Sequence, residues 1–171
     1  MKINNSKYAI TIVFLFLTMS LAAQRIIKEG RYKVNERTLI IKQEQERLIV
    51  TEEHNNAISD FKNDPKIYTR IDQVKFNGKN TIASVFASTL GEARIRHLQH
   101  SGYVLVTLYP NRDGSISAVQ LYTKPNVGLT IEEMDKLIVS LKEKVIIDTP
   151  TDVGKNSKIA PVSQVIHFNK L

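Results

Sequence analysis

The 171-residue chain has no cysteine, and its five prolines are scattered. Without a thiol there is no disulfide framework, no thiol redox chemistry and no residue to carry the lipid of a bacterial lipoprotein. Buried apolar surface must therefore supply the stability. A glycine-rich phosphate cradle, an HExxH pair and a Gly-x-Ser-x-Gly elbow are also missing, which removes the clearest signs of nucleotide binding, zinc hydrolysis and serine catalysis. Long hydrophobic runs are absent too. The apolar stretch 8–19 is interrupted by Thr11 and Thr18 and falls short of the roughly 20 residues that cross a bilayer.

What the N-terminus does contain is a basic lead with Lys2 and Lys7, that apolar stretch, and the small-residue end Ser20-Leu21-Ala22-Ala23. This is the layout of a secretory signal peptide. The reading is cleavage after Ala23, with an uncleaved anchor as the alternative, and delivery to the periplasm or the medium. Removing 23 of 171 residues leaves 148, a usual length for one domain with its own core. The first 23 residues hold two of the 24 basic side chains and none of the 17 acidic ones, so the remainder carries 22 against 17, or +5. Such a balance suits an anionic envelope surface or an acidic partner, and nucleic acid is not an expected ligand outside the cytoplasm.

Between residues 24 and 78 the pattern is strand-like. Runs at 32–34, 38–41 and 48–51 are β-branched and apolar, although Gln43-Glu44-Gln45-Glu46 lacks the Asn-Gly or Gly that marks a tight hairpin. Residues 55–65 are polar and read as a loop, and 66–76 alternate at Ile67, Thr69 and Ile71 as a further strand. From Asn80, the spacing of Ile82, Val85, Phe86 and Leu90 predicts a helix that Gly91 interrupts.

Residues 103–123 then alternate twice around Asp113-Gly114, which predicts a hairpin. Its core face is Val104, Val106, Leu108, Val119 and Leu121. The opposite face, with Leu105, Thr107, Tyr109, Ile116, Gln120 and Tyr122, is too apolar to be bare, so the N-terminal strands or a partner should cover it. Thr130 and Glu133 form a capping box, and Leu129 with Met134 a hydrophobic staple, at the start of a helix with Met134, Leu137, Ile138, Leu141 and Val145 on its apolar face. Residues 161–168 alternate as a last strand.

Few residues cluster in a way that carries chemistry. His97 and His100 are three apart with Glu92 nearby, but zinc needs three or four fixed ligands and no spacing here supplies them, so neither a metal nor a cofactor is expected. Arg94 and Arg96 join these histidines in a small basic patch able to bind a carboxylate or phosphate; the alternative is an exposed charged helix end. Ser115 and Ser117 belong with the turn. Glu52, Glu53, Asp60 and Asp64 cluster in the first half, either as acid and base or as a hydrated loop.

Residues 80–168 resemble the C-terminal domain family of TonB, the periplasmic part of the transducer that engages outer-membrane transporters. The resemblance is carried by Gly91-Glu92-Ala93-Arg94, Ser101-Gly102 leading into YVLVTLYP, the turn NRDGSIS, the strand AVQLYT, the helix 131–145, Gly154-Lys155 and the closing VSQVIHF. It implies a helix, a hairpin, a second helix and a last strand, in a small exported protein of Bacteroidetes type. Leu90-Gly91 stands where the family commonly has Tyr-Pro, and the long proline-rich segment is missing, so a complete energy transducer is not expected.

The expected fold is α+β: an antiparallel sheet with two helices, in which a TonB-like helix, hairpin, helix and strand follow extra N-terminal strands. Residues 1–23 form the signal peptide, 24–78 a β-rich region and 79–171 the TonB-like domain. The resemblance implies a non-enzymatic module that binds a protein partner in the cell envelope by strand addition. Because the last strand has no successor, Val162, Gln164, Val165, Ile166 and Phe168 are the candidate binding residues. An envelope enzyme using the acidic segment with His54, and a structural or self-associating protein, are the alternatives.

Overall fold

The computed structural model describes residues 27–64, 68–70, 74–149 and 157–171. The segment 1–23 expected to be a signal peptide, Ile67, Ile71, Pro150, Gly154 and Lys155 lie outside these. The described elements begin with β1 (Gly30–Val34), β2 (Arg37–Glu44), β3 (Arg47–Glu52), α1 (Asn56–Asn63), β4 (Tyr68–Thr69) and β5 (Lys75–Phe76). Then come α2 (Ile82–Leu90), α3 (Glu92–Leu98), β6 (Tyr103–Pro110), β7 (Ile116–Thr123) and α4 (Ile131–Lys144). The chain closes with β8 (Ile147–Asp148), β9 (Lys158–Ile159), β10 (Val162–His167) and a 3-10 turn at Phe168–Lys170. An α+β fold results, built on a six-stranded antiparallel sheet in the order β1-β2-β3-β7-β6-β10. The regions 24–78 and 79–171 contribute three strands each to this one sheet, joined where β3 pairs with β7.

Period-two alternation places the core as expected. Val104, Val106, Leu108, Val119 and Leu121 are buried together with Leu39, Ile41, Leu48 and Val50 of the first strands. Helices α2 and α4 close this face with Ile82, Val85, Phe86, Met134, Leu137, Ile138 and Leu141. The four fully buried α4 side chains alone contribute on the order of 10 kcal/mol of apolar transfer. The Thr130 hydroxyl accepts from the Glu133 amide at 3.2 Å, and Glu133 accepts from the Thr130 amide at 2.8 Å, completing the capping box. A second box, Thr81 with Ser84, opens α2. At its end Gly91 turns the chain at φ +78° directly into α3.

Four local expectations change. Residues 55–65 are not a loop, because Asn56–Asn63 is helical, and among the described residues there are four helices rather than two. Its apolar content is slight, and what sustains so short a helix is tertiary: Ala57, Ile58 and Phe61 pack on Tyr109 and Ala118. That packing supplies part of the cover predicted for the second sheet face. The β2–β3 connection is a two-residue turn at Gln45-Glu46, with Glu44 opposite Arg47 and Gln45 at φ +56°. Pairing with β7 outweighs the roughly 1–2 kcal/mol that a non-glycine residue loses in this region. Residues 66–76 are not one strand; the described parts are two short pieces, with β4 parallel to β9 and β5 antiparallel to β8.

The fourth change is at the hairpin. Leu108 faces Val119 and Val106 faces Leu121, as an Asp113-Gly114 turn requires, but Pro110 faces Ile116 across a bulge that leaves Ser117 unpaired. One extra residue reverses the side-chain alternation beyond it. Ile116 therefore joins the main core instead of the opposite face. The tip itself is clamped: the Ile147 amide donates to the Gly114 carbonyl at 2.9 Å, and the Thr149 hydroxyl donates to the Arg112 carbonyl at 2.8 Å.

Candidate interaction edge

The sheet has two ends of unlike character. At one end β1 carries Arg31 and Lys33, both exposed, the kind of charge that keeps a free strand edge from pairing with strangers. The other end, β10, reads VSQVIH and has no Lys, Arg, Asp or Glu. Six consecutive residues pair with β6 without a bulge, and among the described residues no strand pairs with its far side. Thr107 and Ser163 share a hydroxyl hydrogen bond of 2.8 Å across the pair, which fixes the register.

The predicted binding residues divide between the two faces of this strand. Val162 and Ile166 are buried, and Phe168 is fully buried in the 3-10 turn beyond the strand. Their side chains belong to the core and can serve a partner only through main-chain atoms. Gln164 is half-buried, whereas Val165 is 44% exposed and one of three exposed large hydrophobic residues among those described. Val165 ends a cross-strand row of Ile49, Tyr122, Leu105 and Val165 on the face away from α2 and α4.

The tyrosines on that face hold the sheet together. The hydroxyls of Tyr109 and Tyr122 both donate to Gln120 Oε1, at 3.1 and 2.6 Å, and Gln120 is buried. Burial, followed by the neighbouring Tyr122 and Tyr68, pushes the Tyr109 hydroxyl up to about 12. Burial and then Glu44 raise that of Tyr122. Both rings therefore act as neutral donors.

The basic patch is not assembled as one surface. Arg94 turns inward, where its Nε and Nη2 donate to Glu133 at 2.5 and 2.9 Å and Nη2 also donates to the Gly128 carbonyl at 2.5 Å. The hydrogen bond to Glu133 raises the guanidinium pKa further, against desolvation. Arg94 thus ties α3 to the start of α4. Arg96 pairs with Glu92 at 2.7 Å, while His97 and His100 are simply exposed. Among the described residues no group of three metal-ligating side chains forms.

The acidic segment does border a cleft, about 550 Å3, in which Glu52, Glu53 and His54 meet Arg37, Ser117 and Lys142. Its carboxylates already have cationic partners: Glu52 with Lys142 at 2.7 Å, and Glu53 with Arg31. His54 is 89% exposed at 4.0 Å from Glu53. Asp60 is paired with Lys158 at 2.8 Å outside this cleft.

A site that the sequence reading missed lies at the start of β10. Phe61, Tyr68, Arg70 and Val74 are brought against residues 160–163 around a groove of about 430 Å3. No local pattern announces it, because α1, β4 and β10 each supply a part.

No family model matches the chain, and no curated protein matches it. Among solved structures, a DUF5043 family protein from Bacteroides uniformis ATCC 8492 superposes with a TM-score of 0.66 at 12% identity, covering 86% of this chain and 96% of that one. At that identity, what the two proteins share is the fold.

Proposed function

We propose that this chain is a non-enzymatic interaction module of the cell envelope, exported by its N-terminal segment, which captures an extended segment of a protein partner as an added strand on β10. The observation that carries the reading is the uncharged, unbulged sheet edge of β10, set against the charged edge of β1. The TonB-like order of helix, hairpin, helix and strand supports the same mode. Main-chain hydrogen bonds would supply the affinity, and Val165 with the row behind it would supply apolar contact.

Along a strand, successive amides point to opposite edges. One of the substitutions Gln164→Pro and Val165→Pro therefore removes an outward amide, and the other an amide of the β6 ladder. The outward-facing proline should abolish retention of a partner taken from envelope extracts while leaving thermal unfolding nearly unchanged. Retention by both variants sinks the proposal. A second reading, an envelope enzyme, is favoured by the meeting of Glu52, Glu53 and His54 in one cleft; the ion pairing of both carboxylates favours a structural role for them instead.

A further inference from the structure

The groove at the start of β10 specifies what kind of strand would be added there, and this rests on capture at β10. One wall is aromatic: Phe61 and Tyr68 stand edge to face with ring centroids 4.9 Å apart. Val74, on another wall, is 37% exposed. Of the three exposed large hydrophobic residues among those described, Val165 lies on β10 itself and Val74 lines the groove at its start. An apolar side chain of an incoming segment has a place to go at each end of the edge.

Charge completes the selection. Among the described residues the groove lining includes the exposed guanidinium of Arg70 and no carboxylate, and β10 itself is uncharged. An arginine fork binds a carboxylate through two parallel hydrogen bonds, which gives direction as well as affinity. From this arrangement we infer that the partner segment is an acidic, extended peptide that places an apolar side chain beside Phe61, Tyr68 and Val74 and a carboxylate on Arg70. A second copy of the chain is a poorer occupant. Its own β10 has no carboxylate to offer Arg70, and two chains that each carry +5 after removal of the first 23 residues repel each other.

Two capped, fluorescein-labelled peptides of alternating Thr and Val, one with Asp at each end and one with Lys at each end, test this by anisotropy against the purified protein. The Asp peptide should bind about tenfold or more tightly than the Lys peptide, the scale of one charge-assisted hydrogen-bonded pair. Arg70→Glu should remove or reverse that preference without moving the melting temperature. Lys33→Glu, an equal charge change on the opposite edge, should leave the preference in place, and its loss there would show that only net charge is read and overturn the inference. Equal binding of both peptides overturns acidic selection but leaves strand capture standing, whereas binding of neither overturns both. A dimer in analytical ultracentrifugation that disappears on whichever of the two proline substitutions leaves thermal unfolding unchanged makes a second copy the occupant and overturns the inference as well.

Discussion

Replacing Gly114 by Ala should be among the most damaging single changes outside the core, and the structure allows its cost to be built up. The residue has φ +83°, where an L side chain loses about 1–2 kcal/mol. A Cβ placed there would lie 2.0 Å from the carbonyl oxygen of Ile147, a backbone atom that cannot swing aside. Relief requires the hairpin tip and β8 to separate by more than 1 Å. That breaks the 2.9 Å bond from the Ile147 amide to the Gly114 carbonyl, about 1 kcal/mol, and loosens Ile147, which is buried under the tip. The total is roughly 3–5 kcal/mol. For a domain of this size that lowers the melting temperature by about 6–20 °C. Gly91 provides the control, since it has nearly the same φ, +78°, with nothing within 4 Å of its added Cβ. Gly91→Ala should cost only the conformational strain of its φ +78°, ψ 155° backbone, about 1–3 kcal/mol. Calorimetry or chemical denaturation of both variants decides the matter: if Gly114→Ala is no worse than Gly91→Ala, the clamp at the hairpin tip does not hold the fold.

The Arg37–Asp135 pair should respond unequally to loss of its two members. Asp135 is 1% exposed and accepts two hydrogen bonds from Arg37, at 3.0 and 2.8 Å, while the Arg37 side chain is 38% exposed. Arg37→Met strands a buried carboxylate and should cost about 3–5 kcal/mol; Asp135→Asn leaves a cation that reaches water and should cost less, with the order checked by urea denaturation. The pH dependence of stability should carry a signature of Tyr109. Burial raises its pKa to about 12 from the ordinary tyrosine value of about 10, so its contribution is fully present below about pH 10 and is lost as the pH rises towards 12, because only the unfolded state then releases the proton. Denaturation at pH 9, 10 and 11 should show a fall in stability that is shallower in Tyr109→Phe, and equal slopes would refute the assignment.

Much of the scaffold was legible because it is periodic. Val104, Val106 and Leu108 could be matched to Val119 and Leu121 by alternation alone, and Thr130 with Glu133 announces a helix start through local hydrogen bonds. What escaped is what depends on distant partners. Helix α1 has too few apolar residues to be seen without Tyr109 and Ala118, and Gln45 takes a left-handed conformation only because the strands on either side demand it. The bulge at Ser117 left no mark of its own, yet it moved Ile116 from one face to the other. For the candidate site, the free last strand could be guessed from its position in sequence, and the charges of Arg31 and Lys33 against their absence in VSQVIH were there to be read. The groove could not be, since Arg70 and Val74 meet Pro161 and Ser163 across roughly 90 positions.

The joining of β3 to β7 also sets a clock. Strands β1 to β3 are linked by two-residue turns and can pair as soon as residue 52 is available, but Val50 meets Leu121, roughly 70 positions later. At 5–20 residues per second, the chain spends roughly 4–14 s of its synthesis with Leu48, Ile49 and Val50 on an open edge. The strand that ends at the centre of the sheet is, for that interval, the one most in need of protection.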